Sequence, residues 1–316
     1  MNDTRRAVLV AIADGPVAGP ALADELEISR AAVWNHVDAL RQAGFEVESG
    51  DDGYRLVSVP EFGGLAVQFG LDAPFEVEYH ESIASTNDRA RELAAEGRAD
   101  VAVLTDRQTG GRGRLDREWA SPPGGVWLSL VLRPDLPASE LPLVTLAAAV
   151  ATTRGAREAG VNARIKWPND VLVPAEGGEL KLAGILTELE GDGDDQRVVV
   201  GIGVNANVDP ADLPDGGTSI REQVGDVTRR VFVQRLLEEF DELRGRPEAI
   251  LDSWREYAGT LGREVRVETP AGTVIGEAVR IEHPGSLVVE TEDGAVVVDA
   301  GDCEHLRPVD GEIGES

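Results

Sequence analysis

Apolar positions change their spacing twice along the chain, and each change marks a different kind of element. Over 4–13 they recur at helical spacing. Gly15 breaks the pattern, and Pro20 sits where a second helix, 21–27, starts. Ile28-Ser29 reads as a short turn with Ser29 as an N-cap, and a third helix then runs over 30–43, stopped by Gly44. That helix turns Ala32, Val33, Val37 and Leu40 to one side and Arg30, Asn35, His36 and Arg41 to the other. Two short strands follow, 45–47 and 54–56, joined by a Gly- and Asp-rich turn. Three helices and a β-ribbon predict a winged helix-turn-helix, whose third helix is shaped to enter a DNA major groove.

Residues 57–65, with Pro60, Gly63 and Gly64, read as a linker. Helical and strand patterns alternate beyond it. Helices are expected over 85–97, 142–160 and 227–257, the last broken near Pro247. Strands are expected over 101–105, 126–132, 164–167, 183–189 and 197–204, with 191–195 as a hairpin tip between the last two. From about 260 the pattern becomes purely β: 265–268, 273–281, 287–290 and 295–298, separated by Gly-containing turns. This spacing suits a small β-barrel. The tail after Pro308 is polar and reads as disordered.

Charge changes the picture more than length does. The 316 residues carry 30 basic and 58 acidic side chains, a net charge of −28. Only two of the basic residues are lysines, Lys166 and Lys181. An acidic, lysine-poor surface reads as adaptation to high salt, where self-repulsion is screened. It argues against casual nucleic-acid affinity; residues 1–56 alone hold five arginines against ten acids. A single cysteine, Cys303, excludes an intrachain disulfide and a cysteine-built metal site, and points to a reducing cytoplasm. No apolar run approaches the roughly 20 residues of a membrane span.

Against this acidic background the clustered cations are informative. Gln108-Thr109-Gly110-Gly111-Arg112-Gly113-Arg114 follows an expected strand. Its glycines let backbone N–H groups converge on an anion, and its arginines add planar forks suited to carboxylate or phosphate. Lys166-Trp167-Pro168-Asn169-Asp170 ends another strand, where Pro168 forces a turn. Lys181 opens the next. Two lysines kept in a chain almost emptied of them suggest work that arginine cannot do. Gly201-Ile202-Gly203-Val204-Asn205-Ala206 matches a dinucleotide fingerprint, but Pro210, Pro214 and two glycines prevent the helix that fingerprint needs. No P-loop is present, and the four histidines lie in separate elements.

These pieces, in this order, resemble the biotin–protein ligases, and the whole chain resembles their bifunctional form, the biotin ligase and biotin-operon repressor. The resemblance rests on Ser85-Thr86-Asn87, Gln108 with Gly111-Arg112-Gly113-Arg114, Trp119, Lys166-Trp167-Pro168-Asn169-Asp170, 181–186, Gly201-Ile202-Gly203-Val204-Asn205 and the third helix of the winged module. It implies an α+β protein with a winged helix-turn-helix (1–58), a mixed α/β ligase domain (66–258) and a small SH3-like β-barrel (260–308). It implies a two-step reaction in which the biotin carboxylate attacks the α-phosphate of ATP, with Mg²⁺, and a lysine of a separate biotin carrier protein then attacks the biotinyl-5′-AMP. Lys166, Arg112 and Arg114 would be catalytic. Ser85, Thr86, Asn87, Gln108, Arg112, Gly113, Arg114 and Lys166 would bind biotin. Gly111, Arg112, Arg114, Trp119, Asn169, Lys181 and Asn205 would bind the nucleotide, with Asn169 or Asp170 near the metal. Ser29, Arg30, Asn35, His36 and Arg41 would contact operator DNA, read as a palindrome by a ligand-induced homodimer.

One position departs from the family pattern: Asp116 replaces the last glycine of the G-R-G-R-x-G loop, a glycine that would permit a positive φ; Asp tolerates that geometry better than most residues, so activity is expected to survive. A lipoate ligase is a distant alternative, and its Gly-Gly-Gly loop and following His-Asp are absent. A transcriptional sensor without catalysis is the other, and the retained Lys166, Arg112 and Arg114 argue against it. An attached carrier is excluded because Met1 is the only methionine, whereas the acceptor motif needs Met-Lys-Met.

Overall fold

A computed structural model describes residues 3–134, 136–190 and 196–306. The expected hairpin tip at 191–195 and the tail after Pro308 lie outside these residues. The winged module contains α1 (Asp3–Ala11), α2 (Gly19–Glu25), α3 (Arg30–Gln42) and the antiparallel pair β1 (Glu46–Gly50) and β2 (Gly53–Ser58). The Ser29 hydroxyl accepts from the Ala32 N–H at 3.1 Å, so it caps α3 as its position predicts. Val33, Val37 and Leu40 close a separate small core with Val8, Leu9, Ile12, Leu22 and Phe45. Ala32, expected with them, is only half-buried.

The expected linker is shorter than its composition suggests. β2 runs to Ser58, and α4 (Gly64–Gln68) begins at Gly64, burying Ala66 and Val67. Gly64 is required there, since a Cβ would lie 2.7 Å from the Tyr79 Cβ.

The central domain is built on one seven-stranded sheet: β3 (Glu76–Ile83), β4 (Val101–Gln108), β5 (Val126–Leu132), β6 (Arg164–Lys166), β7 (Asp170–Ala175), β8 (Gly178–Glu190) and β9 (Arg197–Val204). Its order is β3-β4-β5-β9-β8-β7-β6; only β3 and β4 run parallel. Helix α5 (Thr86–Ala95) packs on β4, β5 and β9, while α6 (Pro142–Glu158), α8 (Arg229–Leu243) and α9 (Pro247–Tyr257) form the other layer; a short α7 (Ile220–Val224) precedes α8. The sequence expectation missed β3 and β7. β3 mixes acids with Tyr79 and His80 because it is an edge strand with only one fully paired side.

The C-terminal residues pair as β10 (Glu264–Thr269), β11 (Gly272–Glu282), β12 (Ser286–Thr291), β13 (Gly294–Val298) and β14 (Asp302–His305), in the order β13-β12-β11-β10-β14, all antiparallel. β14 was not foreseen: its four residues, Asp-Cys-Glu-His, hide a single buried Cys303 among polar neighbours. Among the described residues, no helix is long and apolar enough to cross a membrane.

Candidate functional site

A cleft opens on the central sheet beside the N-terminus of α5. Its walls include Ser85, Thr86, Asn87, Gln108, Arg112, Gly113, Arg114, Trp119, Asn169, Asp170 and Lys181. Residues scattered over almost a hundred positions meet because β4, β7, β8 and β9 all end or pass beneath this opening.

One end is a fixed polar network. The Gln108 carbonyl oxygen accepts from the Thr86 N–H at 2.8 Å and from the Thr86 hydroxyl at 3.0 Å. Its amide donates to the Ser121 hydroxyl at 2.9 Å. Asn87 donates to Glu188 at 2.7 Å and accepts from the Ser129 hydroxyl at 2.6 Å, while Ser129 and Thr86 hydroxyls lie 2.7 Å apart. Ser85 spends its hydroxyl on the Asp88 N–H, capping α5. Buried polar groups cost stability unless paired, and this set is paired internally, so its geometry is held before any ligand arrives.

The other end is aromatic and cationic. Lys181 Nζ lies 5.0 Å from the Trp119 ring centroid and 2.8 Å from Asp170 Oδ1. The Trp119 indole N–H is buried and has no partner among the described residues. The glycines of the discarded fingerprint make room here. A Cβ at Gly203 would sit 2.7 Å from Trp119 Nε1, and one at Gly201 would sit 2.3 Å from Asn87 Oδ1. Both lie on β9, which forms the cleft floor, so their spacing serves side-chain access rather than a phosphate turn.

The arginines of the glycine loop reach across the opening. Arg112 pairs with Asp88, which also pairs with Arg91. Arg114 donates to Asn169 Oδ1 at 2.9 Å and to the Gly301 carbonyl at 2.8 Å; Arg117 pairs with Asp302 at 2.7 Å. The C-terminal sheet thus closes one side of the loop. The loop's left-handed residue is Leu115, with φ 56° and a 71% exposed side chain, one position before the expected Asp116. Gly111 is tightly enclosed: a Cβ would lie 2.5 Å from the Trp119 carbonyl oxygen.

Three residues expected to touch ligand do not line this cleft: Gly111, Lys166 and Asn205. Gly111 is packed under Trp119 and Ser121. Asn205 is buried and donates to the carbonyls of Thr218 (2.9 Å) and Lys181 (3.4 Å), fixing the backbone that carries Lys181. Lys166 stands behind Asp170, its Nζ 4.0 Å from Asp170 Oδ2. Lys181 is the fourth residue of β8, not its first, because β8 begins earlier to pair with β7.

Sequence reasoning missed Glu188, Ser121, Asp88, Asp302 and Ser129. Ser129 had a signal: it is the one hydroxyl in the fully buried strand Val-Trp-Leu-Ser-Leu-Val-Leu, and a buried polar group needs a reason. Asp302 had none, since it reaches the loop from 185 residues away.

In the winged module, Arg30 and Asn35 are exposed on α3. Arg41 is also exposed but is committed to the wing, donating to the Val47 carbonyl at 3.0 and 2.7 Å and to Ser49 at 2.7 Å. His36 is half-buried; burial, then nearby Arg5, lowers its pKa. Ser29 is engaged as the cap. Trp34, which was overlooked, is 54% exposed between Arg30 and Asn35.

Residues 79–205 match the biotin/lipoate A/B protein ligase family, 5–55 match a helix-turn-helix domain, and 260–306 match the biotin protein ligase C-terminal domain. The chain is 38% identical over 310 residues to the bifunctional ligase/repressor BirA of Bacillus subtilis (strain 168), covering 91% of this chain and 93% of that one. It is 35% identical to the biotin–[acetyl-CoA-carboxylase] ligase of Mycobacterium tuberculosis, covering 71% of this chain and 86% of that protein. Among solved structures it is similar to a biotin protein ligase from Aquifex aeolicus in complex with biotin and ATP, with a TM-score of 0.62, 27% identity, and coverage of 73% of this chain and 99% of the other.

Proposed function

The chain belongs to the biotin–protein ligase family, and we propose that it activates biotin with ATP and transfers it to a lysine of a separate biotin carrier protein. The observation that carries this reading is the division of one cleft into a neutral hydrogen-bonding end and a cationic aromatic end. The neutral end, Ser85, Thr86, Asn87 and Gln108, suits the ureido ring of biotin, which presents both donors and acceptors. The cationic end suits the nucleotide: Trp119 offers a ring face to adenine, and Arg112, Arg114 and Lys181 would surround the phosphates.

Two anions must meet in the first step. The biotin carboxylate oxygen forms a bond to the α-phosphorus, and the bond to the β-phosphate oxygen breaks, releasing pyrophosphate. Arg112 and Arg114 lower the repulsion by leaving Asp88 and Asn169 for the reacting anions. Lys166 stabilises the charge gathering between carboxylate and phosphate; its long stem lets the ammonium move past Asp170. In the second step the carrier lysine amine attacks the acyl carbon, the anhydride C–O bond breaks, AMP leaves, and the amine loses a proton.

Mg²⁺ would enter this cleft with the nucleotide phosphates, and Asn169 and Asp170 are the side chains that would approach it. Among the described residues no three His, Cys, Asp or Glu side chains gather as a metal site. The two candidate oxygens, Asn169 Oδ1 and Asp170 Oδ1, already receive Arg114 and Lys181.

We also propose ligand-controlled operator binding by the winged module as a homodimer, with Arg30 and Asn35 as its base-facing residues. The acidic surface fits a protein that works in the cytoplasm at high salt, where phosphate attraction is screened and base contacts carry more of the affinity. The ligase reading is tested by incubating the protein with biotin, MgATP and a biotin carrier domain in molar KCl. One lysine of the carrier should gain the mass of biotin minus water. A carrier left unmodified, or modified equally well with lipoate, would overturn it.

A further inference from the structure

β6 carries Lys166 at its end, yet it is a three-residue strand at the edge of the sheet. One flank pairs with β7. The other is held by the segment 258–260: Ile165 bridges to Ala258, the Gly259 N–H donates to the Ile165 carbonyl at 2.7 Å, and the Trp167 N–H donates to the Thr260 hydroxyl at 2.9 Å. Thr260 is fully buried, and its hydroxyl lies 3.0 Å from His305 Nε2 on β14. His305 Nδ1 lies 2.7 Å from Glu179 Oε2 on β8. The line Glu179–His305–Thr260–Trp167 therefore runs from β8 of the central sheet, through His305 of the C-terminal sheet, to the residue beside Lys166. The mechanism above does not use it.

Hydrogen-bond logic fixes its protons. The Thr260 oxygen accepts from Trp167, so its own hydrogen is free for His305 Nε2. Nδ1 faces the Glu179 carboxylate, which can only accept, so it carries the ring hydrogen, and in the neutral ring Nε2 is then the acceptor of the Thr260 hydrogen. The arrangement holds only for neutral His305. A protonated ring would present Nε2–H to the second lone pair of the Thr260 oxygen and would turn the hydroxyl hydrogen away from His305 into a fully buried site.

We propose that His305 is a positioning residue for Lys166: acting through Thr260, it lets the C-terminal sheet fix the strand end that carries the lysine. This rests on the ligase reading for its functional consequence but not for its structural one. The charged groups facing the ring are Glu179, Arg263 and Lys166. Burial lowers the pKa of His305 more than Glu179 raises it, which favours the neutral ring.

The test uses the full chain and the variants His305→Ala, His305→Gln and Thr260→Val, with steady-state biotin-dependent pyrophosphate exchange followed across pH. His305→Ala should lower kcat roughly 10- to 100-fold, the scale expected for a misplaced reacting group, and leave KM for biotin unchanged because Ser85, Thr86 and Gln108 are untouched. Thr260→Val should do the same, and the double variant His305→Ala/Thr260→Val should be no slower than the slower single variant, since one line is broken twice. Gln at 305 can donate to Glu179 and accept from Thr260 without titrating. His305→Gln should therefore keep most of kcat and lose the fall of kcat on the acid side. Unchanged kcat in His305→Ala, additive losses, or an intact acid limb in His305→Gln would overturn the proposal. Amide hydrogen exchange over residues 164–168 judges the positioning independently of turnover: it should quicken in His305→Ala, and unchanged protection would overturn it. Absence of wild-type pyrophosphate exchange would instead overturn the ligase reading, leaving the amide measurement to decide the positioning.

Discussion

Lys181 Nζ lies 2.8 Å from Asp170 Oδ1, and across the same carboxylate Lys166 Nζ lies 4.0 Å from Oδ2. The only two lysines of a 316-residue chain thus face one aspartate at the edge of one cleft. Asp170 keeps two like charges close together, ready for a substrate with several negative charges. Arginine would fill the same space with a wider, rigid fork. Lys166→Arg should therefore reduce biotin-dependent pyrophosphate exchange by at least about tenfold while the protein still folds. Lys166→Ala and Arg114→Ala should abolish it. A fully active Lys166→Arg would remove the argument from lysine retention.

Gly201 and Gly203 separate the two ends of the cleft by genetics. Gly203→Ala pushes a methyl to 2.7 Å from Trp119 Nε1, so it should weaken ATP binding and spare biotin binding. Gly201→Ala pushes one to 2.3 Å from Asn87 Oδ1 and should do the reverse. Isothermal titration with each ligand checks the split. If both variants lose both ligands equally, the division of the cleft is wrong.

How far the sequence reached is visible in these same residues. The loop arginines, Gln108, Ser85-Thr86-Asn87 and the Lys166 turn were legible because each cluster is local and chemically unusual. Gly201 and Gly203 were legible as glycines but not in purpose, because what they make room for, Asn87 and Trp119, lies far away in sequence. The strands at 126–132 and 197–204 were found whole because their apolar runs are long and almost uninterrupted, the first buried throughout and the second buried over 198–200. β3, β7 and β14 were missed because edge position or a short mixed sequence hides their periodicity. Asp302 and His305 come to the site only through the docking of the C-terminal sheet, which no local pattern encodes.

In the winged module, side chains that build the fold can be separated from those free to read DNA. Ser29→Ala removes a cap and should cost about 1 kcal/mol of stability. Arg41→Ala frees the wing from α3 and should also destabilise. Arg30→Ala and Asn35→Ala should leave thermal stability unchanged and weaken operator binding, measured by fluorescence anisotropy with biotinyl-5′-AMP present. Stability losses in the second pair without a DNA effect would contradict this assignment.

Acid should destabilise the protein in two stages. His36 and His305 are held below their ordinary pKa of 6.5, chiefly by burial. Below that pH the unfolded chain takes up protons that the folded chain refuses, so stability is flat above it and falls as pH drops through it. Glu78, lowered chiefly by its hydrogen bond from Arg89, adds a further loss as pH falls below its ordinary 4.5. The melting temperature should decline between pH ~7 and ~5.5, and less steeply in His305→Gln. A pH-independent melting temperature over that interval would contradict the burial of both rings.

Cys303 is 2% exposed, and burial pushes its thiol up to about 12. It should resist alkylation at neutral pH in the folded protein and react once denaturant is added. Rapid labelling without unfolding would mean that β14 detaches readily, and with it Asp302 and His305.

The central claim is that this cleft joins biotin to AMP, and isotope exchange between pyrophosphate and ATP reads that step alone. In molar KCl with MgATP, the intact protein should exchange label only when biotin is present. Exchange that is absent in the folded protein, or that proceeds equally without biotin, would contradict the account.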